Sequence, residues 1–506
     1  MRESGFEYLR QAIALEPHEP RWQVHLGRAL TITERFIEAE KAYAAAAELS
    51  EDHAGILMQW GKSLRLAGRP SEASQVYARV IQKRPSKTAW LAASEALTEA
   101  GDTETAAIAY EKAFPEASRP DFAAAHLADL HIRLGHYDKA KAINAKLRGN
   151  SPNDPDVGLR ASNLMRLTGD VSGAKSLLLE LWAQHPDHGG LACALLKDGE
   201  GEPRAVAENI ANDETADKNV RQCCAFALCA FADQSGDTDA AWAWATLANS
   251  LYPKSNDTLQ LLRERLDKAI IAYHHMEGAQ QSIKTGSAKM LYIVGPLRSG
   301  GTLLQTLLAR HPEVRSIGER GTLMSLLSPL LDAPDKLMEQ IEPLATADIA
   351  RLTRAAGMAD YFVDKTPHYV LLTGVLARVH VGAQFIASYR DEKDMMVSLF
   401  FHDFGAEYPF TRSLSGIREY LDFHETALMR WREAGVNIIS HNHDRFVADM
   451  ALRGEALCMT LGLGSFEDMF EDEENADGQT RIDMSLDFKG RGELYTKHLS
   501  SAGFLS

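Results

Sequence analysis

The feature that most limits how this chain folds is a repeat of 34 residues. Gly27 and Gly61 stand 34 apart, as do Ala39 and Ala73, and Tyr43 and Tyr77. The series continues with Ala106, Ala140 and Ala174, with Tyr110, and with Pro152 and Pro186. A unit of this length is two antiparallel helices, and its small residues let them approach closely. Stacked units form a solenoid in which each repeat contacts its neighbours. Gly68, Gly101, Gly135 and Gly169 fall at the turn between paired helices, where a positive φ suits glycine. The prediction is an all-α repeat solenoid over residues 1–273.

The period and the small-aromatic-small-proline order resemble the tetratricopeptide repeat. Residues 188–217, with "KDGEGEPRAVAEN", read as a degenerate unit, and "FADQSGDTDAAWAWATLANSLYP" restores the pattern through Gly236, Ala241, Ala248 and Pro253. The opening "GFEYLRQAIALEP" reads as the second helix of a unit, either a cap or what is left of a truncated repeat. Trp22, Trp60, Tyr77 and Tyr110 are expected in the repeat core. Such arrays commonly receive a peptide or partner protein on a concave surface. The competing role is a spacer or dimerisation scaffold, and the oligomeric state stays open.

Residues 274–289, "HHMEGAQQSIKTGSAK", are polar, small and aperiodic, which marks a linker. Beyond it, β-rich runs at Met290–Val294, Tyr361–Val363, Gln384–Ser388 and Val436–Ser440 alternate with helical stretches. That texture predicts an α/β domain with a mostly parallel sheet over residues 290–506. A formal net charge of −16 argues against bulk attraction to nucleic acid or an anionic membrane, though not against one local basic pocket. The five cysteines (193, 223, 224, 229, 458) form no CxxC pair and read as free thiols in a reducing compartment. No long apolar run or signal peptide stands out, so the expected location is the cytoplasm.

The stretch "LYIVGPLRSGGTLLQTLL", residues 291–308, is an apolar strand, a glycine-punctuated turn and an amphipathic helix. Free N–H groups at the start of that helix, near Thr302, would face the turn and favour an anion. The nucleoside-triphosphate loop needs a Lys before its Ser/Thr, and Gly300-Gly301-Thr302 has none. Arg298 instead offers a planar fork suited to a tetrahedral oxyanion. A glycine turn with a surface Arg is the plainer alternative. Three further stretches bear on the choice: Glu319 lies 21 residues past Arg298, Lys365 sits in "FVDKTPHY", and Arg390 precedes Ser398 by eight in "FIASYRDEKDMMVSLFFHDF".

Together these stretches resemble the sulfotransferase family, in particular tyrosylprotein sulfotransferases and bacterial proteins that fuse tetratricopeptide repeats to such a domain. The resemblance implies a P-loop-like α/β fold and 3′-phosphoadenosine-5′-phosphosulfate (PAPS) as sulfuryl donor, without a metal. It places the 5′-phosphosulfate on Arg298, Ser299, Gly300, Gly301, Thr302 and Leu303, and the 3′-phosphate on Arg390 and Ser398. It makes Glu319 the general base and sets Lys365 against the departing bridging oxygen, with Arg298 holding the transferred group.

The match has gaps. Gly301 stands where the family usually has Thr, and Pro296 lies two residues before Arg298 rather than next to it. "HNHDRFV" replaces a "YEDL"-like stretch, and the GRW-containing segment common near the C-terminus of bacterial relatives is absent. "LDFKGRGELY" faintly resembles the donor-binding KG loop of other sulfotransferases; Lys489, Gly490 and Arg491 are nevertheless expected to form a basic loop beside acidic neighbours. Residue by residue, Glu319 reads equally as a solvated acid, Lys365 as a surface Lys, and Arg390 as a partner of Asp391 or Asp394. His441, His443 and Asp444 lack a further clustered ligand for zinc. Ser299 lacks the G-x-S-x-G context of a hydrolase. The acidic run from Glu467 to Asp477 reads as a solvated loop.

The leading expectation is sulfuryl transfer to a hydroxyl, with protein tyrosine first and the solenoid presenting the polypeptide. The alternatives are a saccharide or small-molecule acceptor, and a non-catalytic adaptor whose donor site has degenerated.

Overall fold

The computed structural model describes residues 2–33, 35–67, 69–100, 102–134, 136–253, 257–276, 288–319, 321–405, 408–469, 490–501 and 504. Most of the proposed linker, the greater part of the acidic run, Lys489 and three of the turn glycines (68, 101, 135) lie outside the described residues. Contacts divide the chain into two compact units, Met1–Leu134 with Arg320–Ala333, and Gly135–Glu319 with Pro334–Ser506.

The first unit is an array of antiparallel helix pairs, among them Pro20–Ile32 with Phe36–Leu49 and Ala54–Leu66 with Pro70–Lys83. Its period has a steric cause. A Cβ on Gly27 would come within 2.9 Å of the Tyr43 ring, and one on Gly61 within 2.4 Å of the Tyr77 ring. Each glycine thus makes room for the aromatic of the following helix, and Tyr43 and Tyr77 are each 2% exposed. The short helix Thr322–Leu327 packs on Pro70–Lys83 and Thr103–Ala113, burying Leu323, Met324 and Leu327. Thr322 Oγ1 donates to Asp102 Oδ1 at 3.0 Å. The same Asp102 caps the Thr103–Ala113 helix by accepting from Thr105 N.

The second unit carries further repeat helices, from Tyr137–Asn150 to Asp257–His275, and the α/β domain. The degenerate stretch forms two short helices, Gly189–Lys197 and Arg204–Asn212. At Gly169 and Gly236 the backbone has φ of +90 and +78, as a turn between helices requires, and the following Asp170 and Asp237 cap the next helix.

The sheet consists of β1 (Lys289–Val294), β2 (Val314–Gly318), β3 (Tyr361–Asp364), β4 (Gln384–Tyr389) and β5 (Ile438–Asn442), in the order β2-β3-β1-β4-β5 and parallel throughout. Four of these strands coincide with the predicted runs, β5 starting two residues later than expected. The edge strand β2 has no counterpart among the apolar runs of the sequence, because Arg315 and Ser316 keep it partly exposed and it has only five residues. Central β1 is buried on both faces. Leu291 and Ile293 pack on Leu304, Leu307 and Leu308 of the following helix, while Tyr292 stacks on Phe385 and bonds through its hydroxyl to His380 Nδ1 at 2.7 Å. In such sheets ligands bind beyond the carboxyl ends of the strands.

Candidate active site

The carboxyl edge gathers the residues singled out from sequence. Glu319 directly follows β2, Lys365 follows β3, Arg390 follows β4 and His443 follows β5, while the glycine loop follows β1. Parallel strands all end on the same side, so residues as far apart as Arg298 and His443, 145 positions along the chain, come to one edge.

The loop is pinned from several sides. Gly300 has φ of +91 and precedes the Gly301–Leu308 helix, and a Cβ there would lie 2.1 Å from His443 Nδ1. Both the backbone angle and the close imidazole therefore require glycine. A Cβ on Gly301 would meet Ile293 Cγ2 at 3.3 Å and the Lys365 stem at 3.4 Å, which places Lys365 over the start of the helix. Ser388 Oγ donates to Ser299 O at 2.7 Å, and Leu297 N donates to the buried Tyr420 hydroxyl at 3.0 Å. The N–H groups at the first turn are thus presented beside a lysine.

Arg298 adopts φ of +67, a left-handed conformation shared among the described non-glycine residues only by Glu51 and Asp52. Such strain persists where the surroundings over-determine it. Its Nε donates to Ser398 Oγ at 2.7 Å, joining the two sequence motifs directly. Although the residue has access to solvent, its guanidinium pKa is lowered, first by desolvation and then by the like charges of Arg491 and Arg390. Arg298 has no ion pair among the described residues. A cation crowded by like charges, with no carboxylate paired to it among the described residues, is chemically suited to an anionic ligand.

Lys365 Nζ donates to Glu319 Oε1, so the two candidate catalytic groups form one ion pair beside the loop. Arg390 is held by Asp394 at 2.9 Å and lies 3.6 Å from Asp444, so the pairing with Asp394 weighed from sequence is present. That pairing leaves Arg390 within the cationic cluster, since it still acts on Arg298. Arg390 Nε is buried and makes no hydrogen bond among the described residues. Thr302 and Leu303 stand in the first turn of the helix.

Gly490 and Arg491, expected as a basic loop beside acidic neighbours, do lie beside Asp394 and Asp233, but buried: Gly490 N and Gly492 N donate to Asp394 at 2.9 and 2.6 Å, Arg491 pairs with Asp233, and Arg491 is 9% exposed. Asp394, which the sequence marks only as a possible partner of Arg390, is 2% exposed and holds the Gly490–Gly492 backbone as well. His443, which the sequence offers only as one of a possible metal pair, instead lies against Gly300 of the loop.

Several histidines of the domain are held neutral. His368, His402 and His441 are lowered to about 4 and His424 to about 3, in every case chiefly by burial. For His402 the nearby Arg298 adds to the effect. A histidine depressed in the fold gives stability above its unfolded pKa, lost as protons bind the unfolded chain more readily. Stability is therefore expected to fall as pH drops from about 6.5 toward 4. Melting temperatures across that range check this; a flat profile would contradict it.

Residues 291–468 match the model of the Sulfotransferase family, and residues 97–162 match a tetratricopeptide repeat model. The chain therefore carries a sulfotransferase-family domain together with tetratricopeptide repeats. No curated protein matches it. Among solved structures, the chain is similar to a tetratricopeptide repeat protein from Parabacteroides merdae (16% identity, 46% of this chain and 93% of that one, TM-score 0.37). It is also similar to YrrB, described as a TPR protein with an unusual peptide-binding site (15% identity, 36% and 95%, TM-score 0.30). A third is the sulfotransferase STF1 from Mycobacterium tuberculosis (14% identity, 58% and 97%, TM-score 0.25). The assignment of the domain rests on the family match and the parallel sheet, not on these likenesses.

Proposed function

We propose that this protein transfers a sulfuryl group from PAPS to an acceptor hydroxyl, with protein tyrosine as the acceptor. The observation that carries the reading is the Lys365–Glu319 ion pair set against the start of the Gly301–Leu308 helix, in the same loop region as Arg298, which has no ion pair among the described residues. A sulfotransferase-family domain implies PAPS as donor, and the residues present suit a doubly phosphorylated nucleotide. Arg298, Ser299 and the N–H groups of residues 300–303 would hold the 5′-phosphosulfate, while Arg390, Arg491 and Ser398 supply the second anion site.

In the reaction the acceptor oxygen bonds to sulfur, the bond from sulfur to the bridging phosphate oxygen breaks, and adenosine 3′,5′-bisphosphate departs. A phenol of pKa near ~10 must lose its proton as it attacks, and Glu319 takes it. Glu319 is half exposed and tied to Lys365. Charge growing on the bridging oxygen draws the Lys365 ammonium to itself, which frees the carboxylate when the base is needed. Positioning and electrostatics thus do most of the work, as in phosphoryl transfer. The repeats, with their tendency to receive extended polypeptide, would present the acceptor.

The test is labelled PAPS offered to tyrosine peptides and, in parallel, to glycans and small phenols. Label recovered as sulfotyrosine is the expected result. Label found only in glycans or small phenols would reject tyrosine as acceptor while retaining the chemistry.

A further inference from the structure

The repeat helix Lys218–Gln234 meets the α/β domain at a buried ion pair. Asp233, near its end, pairs with Arg491: Oδ2 lies 2.7 Å from Nη2, and Oδ1 accepts from Nε at 3.3 Å. The same carboxylate accepts from the Tyr495 hydroxyl. The side chains of Arg491 and Asp233 are 9% and 14% exposed, so this is no surface ion pair. From Arg491 the contacts continue through its backbone neighbours. Gly490 N and Gly492 N both bond to Asp394, whose Oδ2 also receives Arg390 Nη2 at 2.9 Å.

The adjoining repeat helix Thr238–Ser250 braces the same segment. Trp242 stacks on His498 with ring centroids 4.9 Å apart and meets Phe400 at 5.2 Å. Asn249 Nδ2 donates to Phe400 O at 2.8 Å, at the end of the helix that carries Ser398. Arg491 in turn lies over the Phe401 ring at 5.1 Å.

Arg491 has a rotamer-rich side chain and sits among like charges, those of Arg298 and Arg390. Left to itself it would swing toward solvent. A fixed carboxylate behind it holds the guanidinium toward the anion site, as an outer partner orients the group that makes the contact. We infer that Asp233, a residue of the tetratricopeptide region, is a positioning residue of the donor site, acting through Arg491. The repeat array on this view is part of the nucleotide site and not only a platform for the acceptor. The inference rests on the function proposed above.

The test is calorimetric titration of the full chain with adenosine 3′,5′-bisphosphate and with adenosine 5′-monophosphate, for the unaltered protein, Asp233→Asn and Asp233→Glu. Asp233→Asn is expected to weaken bisphosphate binding roughly ten- to hundredfold, the range of one charge-assisted contact. Monophosphate binding should change far less, and Asp233→Glu should recover most of the loss. In turnover, the KM for donor rises while kcat and the acceptor KM hold.

Equal losses for the two nucleotides, or full bisphosphate affinity in Asp233→Asn, would overturn the inference while leaving the donor site standing. Failure of the unaltered chain to bind bisphosphate at all would overturn the functional reading with it. Should Asp233→Asn not fold, Tyr495→Phe removes one bond to the same carboxylate. A loss of bisphosphate affinity of about two- to fivefold there supports the inference, and unchanged affinity contradicts it.

Discussion

Glu319→Gln lowers kcat by about 10²–10⁴-fold, the range typical of a lost general base, and leaves nucleotide affinity within about twofold. The amide keeps the shape of the side chain and removes only its capacity to take a proton. Lys365→Met is expected to lower kcat by about 10²–10³-fold, as the loss of one preorganised charge from a departing oxygen does. The two residues touch, so their effects should not multiply. With Lys365 gone Glu319 loses the ion pair that holds it, and with Glu319 gone Lys365 loses its resting partner. The double variant is therefore expected to lie close to the worse single one. Single-turnover rates with saturating donor measure all three. Independent, multiplying effects would mean that the ion pair has no part in the reaction.

Arg298→Gly separates binding from stability. The guanidinium lies near the like charges of Arg390 and Arg491 without an ion pair among the described residues, and sits on a backbone of φ +67. Each of these costs the fold something, and glycine removes them together. The variant is expected to melt about 1–3 °C higher than the parent. It should also bind adenosine 3′,5′-bisphosphate at least ~10²-fold more weakly, since two charge-assisted contacts are worth ~3–6 kcal/mol. Stability gained with function lost marks a strained ligand site. A variant that loses stability along with binding would show that Arg298 serves the fold first.

What could be read from sequence follows from what is encoded locally. The repeat is legible because each glycine answers an aromatic 16 residues on, as Gly27 does Tyr43 and Gly61 does Tyr77. Strands β1, β3 and β4 are apolar runs, and Glu319, Lys365 and Arg390 mark where strands end. The contacts that sequence did not disclose are distant ones. Asp233 meets Arg491 across 258 residues, and no period or motif couples them. No local pattern sets Asp394 apart from the acids around it; its burial and its bonds to Gly490 N and Gly492 N do. The segment from Arg320 to Ala333 joins the first unit because Leu323, Met324 and Leu327 bury themselves against its helices, a choice made by tertiary packing rather than by any local signal.

The claim on which the rest depends is that the loop after β1, with Arg298 and its neighbours, accepts a nucleotide bearing two separated phosphates. Isothermal titration of the purified chain with adenosine 3′,5′-bisphosphate, in chelator so that no divalent ion assists, addresses it most directly. The expected result is one site with micromolar affinity, sharply weakened in Arg298→Gly. Absence of binding at millimolar nucleotide, or binding that survives the loss of Arg298 unchanged, would contradict the account.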